Sequence, residues 1–237
     1  MIKSVPLVLA TLGLALVAAE ADAGVIYLAS GQSGGQNVSG QADITYGNGS
    51  ITIELSNLTA TTYDAAQLLT AFRFSLGAVG GATALSSAVT PSGRTVGTGG
   101  DYTDSATSKD LLGLNTWSLN SVGGGLQLQF NPDAKYAILG APDAGTGVYG
   151  SANGSIIDNK GHNPFANGSA TFVLSNSNFT TATRLSDVTF LWGTNLGAST
   201  SPPPPTAVPL PPAAWTGLGL LGALGTMRWA RRRRQPA

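Results

Sequence analysis

Polar and apolar residues alternate with period two in several short stretches. Ser50-Ile51-Thr52-Ile53-Glu54-Leu55 places Ile51, Ile53 and Leu55 on one face. Phe72 to Leu76 and Leu126 to Phe130 do the same, and Ala170 to Leu174 and Val188 to Trp192 are noisier versions. Weaker candidates run from Ala42 to Tyr46, Trp117 to Leu119 and Tyr136 to Leu139. Such alternation buries one face of a strand and wets the other. Gly, Asn, Asp and Ser clusters separate these stretches, as turns require. Asn48-Gly49 stands between two strand candidates and predicts a hairpin. The one predicted helix is short, Asp64 to Ala71. The expectation is an all-β body over 24–200, a β-sandwich or a jelly-roll-like domain.

The two ends break this pattern with continuous apolar runs. Lys3 precedes the run from Val5 to Ala19, and Ala21-Asp22-Ala23 follows it. A basic start, an apolar centre and a small-x-small site make a secretory signal over 1–23, cleaved between Ala23 and Gly24. Near the other end, 201–212 is proline-rich, with four prolines from Pro202 to Pro205. That composition favours an extended spacer over a core. An apolar segment over 213–230 follows, with Trp215 and Trp229 near its ends, and a basic tail over 231–237 contains Arg231, Arg232, Arg233 and Arg234. Interfacial tryptophans and flanking arginines describe a transmembrane helix with a cytoplasmic basic end. The uninterrupted run from Ala213 to Met227 makes only about 22 Å of helix, so snorkelling arginines must cover part of the span.

Val208-Pro209-Leu210-Pro211-Pro212-Ala213-Ala214-Trp215 leads into Gly217 to Gly225, a Gly/Leu-rich stretch, and then the arginines. This three-part order resembles the PEP-CTERM sorting signal of Gram-negative bacteria, in a Val-Pro-Leu-Pro variant with Leu210 where the family's namesake has glutamate. The resemblance implies recognition by exosortase, a membrane transpeptidase, with cutting near Val208 to Pro211. It also implies an inner-membrane precursor, a product at the cell surface or outside the cell, and a setting of extracellular polysaccharide and biofilm. The prolines are expected to keep the motif out of helix and sheet, so that its backbone is free to enter an active site.

Charge adds a second line. The chain carries zero formal charge, and only 10% of its residues are charged. The body alone holds six basic and ten acidic residues, a net −4. A mildly acidic body with few arginines lacks the electrostatic footprint of nucleic-acid binding. The absence of cysteine excludes disulfides, thiolate metal sites and cysteine nucleophiles.

Candidate chemistry is sparse, and no catalytic residue, metal ligand or cofactor is assigned. Gly31-Gln32-Ser33-Gly34-Gly35 matches the nucleophile-elbow spacing, but no sheet precedes it and no helical pattern follows, so a flexible glycine turn is expected. His162 is the one imidazole; a triad would need Ser33 and Asp143 or Asp158 beside it. Asp101, Tyr102, Thr103, Asp104 and Asp110, or Asp158 with Asn153 and Asn159, offer oxygens to calcium without a recognised loop spacing, and read as turn residues. Asn37, Asn48, Asn57, Asn153, Asn167 and Asn178 begin glycosylation sequons. The function expected is a non-catalytic, exported surface or matrix protein, structural or adhesive. Its rivals are a carbohydrate-binding module, which an exposed Trp or Tyr on one sheet face would favour, and a secreted hydrolase.

Overall fold

A computed structural model describes residues 24–194 and 206–209. The expected signal peptide, the apolar segment and the basic tail lie outside them. No helix among the described residues is long and apolar enough to cross a membrane.

The body is all-β. In chain order its strands are β1 (Val25–Ser33), β2 (Gln36–Gly47), β3 (Ser50–Asn57), β4 (Leu69–Ser75) and β5 (Ala84–Thr90). Next come β6 (Gly93–Val96), β7 (Tyr102–Asp104), β8 (Lys109–Asp110), β9 (Trp117–Val122) and β10 (Gly125–Phe130). The last are β11 (Ile138–Leu139), β12 (Phe165–Asn167), β13 (Ser169–Ser175), β14 (Ser186–Trp192) and β15 (Thr206–Pro209). Two sheets result. The first runs β15-β1-β2-β3-β13-β5-β8. The second runs β7-β6-β12-β11-β4-β10-β9, with β14 also on β4. Every pairing is antiparallel except β11 with β12.

The two sheets share one core. Ile44, Ile53 and Phe172 of the first lie in the same apolar cluster as Phe72, Phe190 and Trp192 of the second. Phe172 meets Trp117 with ring centroids 4.8 Å apart. Gly40 on β2 faces Trp192, where an added Cβ would sit 3.1 Å from the indole ring. The alternation read from the sequence places these side chains. In β3, Ile51, Ile53 and Leu55 are buried while Glu54 is exposed. Tight glycine turns set the registers. The β2–β3 turn uses Asn48-Gly49, with Gly49 at φ 81°.

One expected element differs. The predicted helix from Asp64 to Ala71 is a single 3-10 turn, Ala65–Gln67, capped by Asp64 and Gln67. Leu69, Thr70 and Ala71 belong to β4 instead. All three are buried, so hydrogen bonding to neighbouring strands outweighs a local preference for helix. Of Tyr136 to Leu139, only Ile138–Leu139 is strand; Tyr136 takes a left-handed backbone at φ 71°.

Candidate functional site

An open groove of about 560 Å³ lies beside the β1–β2 hairpin. One wall is the hairpin end, with Ser30, Gly31, Gln36, Asn37 and Ser39; the other is the loop after β3, with Leu58, Thr61 and Tyr63. Two buried amides hold the walls together. Asn57 Nδ2 donates to the Gln67 carbonyl (2.8 Å) and the Ile138 carbonyl (2.9 Å), and its Oδ1 accepts from Thr59 N (3.1 Å). Gln67 Nε2 donates to the carbonyls of Asn37 (2.9 Å) and Thr61 (3.0 Å), and its Oε1 accepts from the backbone N–H of Tyr63. Gln67 thus bridges the two walls directly.

No charged residue lines the groove. Ser30, Gln36, Asn37, Thr61 and Tyr63 line it, and their side chains make no hydrogen bond to any described residue. Leu58 is 47% exposed and Tyr63 37%. Neutral donors and acceptors beside an exposed ring can bind hydroxyl-rich, uncharged ligands, the ring taking their apolar faces.

The residues singled out for chemistry do not converge. Ser33 ends β1 and is 3% exposed; Gly34 (φ 58°) and Gly35 (φ 79°) turn the chain straight into β2. A hairpin follows it where an elbow needs a helix. The glycine turn itself is therefore limited to Gly34 and Gly35. His162 Nδ1 lies 3.0 Å from the Ala134 carbonyl, and its ring meets Phe130 edge-on. A carbonyl only accepts, so this bond places the proton on Nδ1. Asp143 accepts from Gly145 N and Thr146 N in its own turn. Asp158 sits in a left-handed bend at φ 49°.

Four of the candidate calcium ligands, Asp104, Asp110, Asn153 and Asn159, are engaged by protein donors. Asp104 takes a two-pronged bond from Arg94, both at 2.7 Å. Arg94 also stacks on Tyr102 and donates to the Tyr149 hydroxyl. Burial opposes its charge, but the bonds to Asp104 and Tyr149 prevail and hold the guanidinium pKa above its ordinary value. Asp110 accepts from Leu112 N and Gly113 N. Asn153 accepts from Ser155, and Asn159 from Gly161 N and His162 N. Among the described residues no three of His, Cys, Asp and Glu gather into a possible metal site. Of the sequons, Asn57 is buried and doubly donating, whereas Asn37, Asn48, Asn153 and Asn178 are exposed.

The tail motif enters the fold in part. Val208 and Pro209 lie in β15, where Val208 pairs with Ile26 and Pro209 with Val25. The expectation that prolines hold this segment out of sheet is corrected here. β15 is an edge strand, and an edge tolerates proline because one side of the strand needs no donor. Gly24, the residue before β1, is buried. Ala23, Leu210, Pro211, Trp215, Trp229 and Arg231 to Arg234 lie outside the described residues.

No family model matches the chain, and neither a curated protein nor a solved structure does.

Proposed function

We propose that the chain is an exported, non-catalytic surface or matrix protein of a Gram-negative bacterium, cut by exosortase near Val208 to Pro211. The signal over 1–23 is removed. The apolar segment over 213–230 holds a precursor at the inner membrane until the tail is cut. The β-sandwich body is then left at or beyond the cell surface, in a structural or adhesive role. One observation carries the reading: Val25 pairs with Pro209. The chain just after Ala23 and the motif that begins at Val208 therefore lie side by side at one edge of the first sheet. Ends placed in this way can both reach one bilayer. A reporter fused ahead of Pro202 in the native host is expected outside the inner membrane; a reporter in the cytosol overturns the proposal.

The groove favours a second reading within the same setting, contact with extracellular polysaccharide. It is uncharged and hydroxyl-rich, and it presents the exposed ring of Tyr63, which stands on the loop after β3 and not on a sheet face.

A further inference from the structure

β15 is a weak strand in a consequential place. It has four residues, it lies at the outer edge of the first sheet, and it pairs with β1 alone. Thr206, Ala207 and Val208 have backbone N–H groups to offer; Pro209 has none. Edge strands with so few ladder bonds open at low cost. Yet the segment includes the first half of the motif to be cut.

Length sharpens the point. Only three residues, 210–212, separate β15 from the apolar run that starts at Ala213. Fully extended, the four steps from Pro209 to Ala213 reach at most about 14 Å. While β15 is paired, the sheet edge is tethered close to the bilayer and the proline-rich spacer stands on the wrong side of the strand to help. Once β15 is unpaired, the fourteen steps from Thr194 to Val208 become free, a reach of at most about 50 Å.

A protease binds its substrate as an extended strand whose backbone groups are unpaired. We propose that the outer edge of β1 is an acceptor site for the chain's own Thr206–Pro209, and that docking there shields the motif while release exposes it for cutting. This rests on the processing reading above and adds its regulation: the cut waits on an opening of the sheet edge. Anything that stabilises β15 slows processing, and a strand that competes for β1 speeds it.

The native chain has no cysteine, so a cross-link can be placed cleanly. Leu28 and Thr206 are register partners, and Leu28 is exposed. Directly opposed residues in an antiparallel pair have Cα atoms about 4.5–5.5 Å apart, inside the range a disulfide accepts. The test is the full chain carrying Leu28→Cys and Thr206→Cys, made in the native host, with tail loss followed by intact mass. The oxidised variant is expected to form the bond within one chain and to lose its arginines at least about tenfold more slowly than wild type, with reductant restoring the rate. Oxidised chain cut at the wild-type rate overturns the proposal. So does a bond that joins two chains, or failure of the folded protein to form the bond at all. Retention of the arginines by wild type itself is a different failure, that of the processing reading.

Discussion

Two tyrosines fasten the first sheet to the second through the backbone of one residue, Leu185. Tyr27 Oη donates to the Leu185 carbonyl at 3.0 Å, and Leu185 N donates to Tyr46 Oη at 3.1 Å. Tyr27 lies on β1 and Tyr46 on β2, whereas Leu185 leads into β14 of the second sheet. Burial, and then the neighbouring Tyr46, push the Tyr27 hydroxyl up to about 12. In the unfolded chain a tyrosine ionises near 10. Between those values the native state holds the proton and the unfolded state releases it. The contribution to stability is therefore complete below pH 10 and is lost as pH rises toward 12. Tyr27→Phe is expected to be less stable than wild type at pH 8, by about 1 kcal/mol for the missing bond. Its stability should also fall less steeply between pH 10 and 12. Urea unfolding at a series of pH values checks this, and parallel slopes for the two proteins contradict it.

Among the elements, the strands with alternating side chains were legible: β3, β10, β13 and much of β4 and β14 carry their own pattern. β5, β7 and β8 did not announce themselves. Ala84-Leu85-Ser86-Ser87-Ala88 in β5 has little to distinguish it from a loop, and its place depends on pairing with β13 and β8. The groove was illegible for a similar reason. Its walls come from separate segments, and the bridge between them, Gln67, sits in a turn read as helix. One signal did exist. Asn57 continues the buried series Ile51, Ile53, Leu55 by one step, and a polar residue at an apolar position marks a backbone anchor. The groove can be tested as an element. Tyr63→Ala, an exposed change, is expected to preserve folding and to weaken retention on a neutral polysaccharide column by about tenfold, about 1.4 kcal/mol. Unchanged retention of Tyr63→Ala contradicts the groove's role.

At the scale of the molecule, zero net charge is the sum of unlike parts. Five arginines close the chain, beyond a body at −4. The expectation of export rests on the end segments of the sequence. The pairing of β15 with β1 was not legible, because a proline-rich stretch predicts no strand and only an available sheet edge creates one. In the proposed route that pairing matters, since Val208 and Pro209 rest on the domain that cutting would release. The central claim, an exported body freed by cutting its tail, meets its most direct test in the intact mass of the protein recovered from the surface of its native host. The account predicts a chain that begins at Gly24 and ends between Val208 and Pro211. A surface form that still carries Arg231 to Arg234 contradicts it.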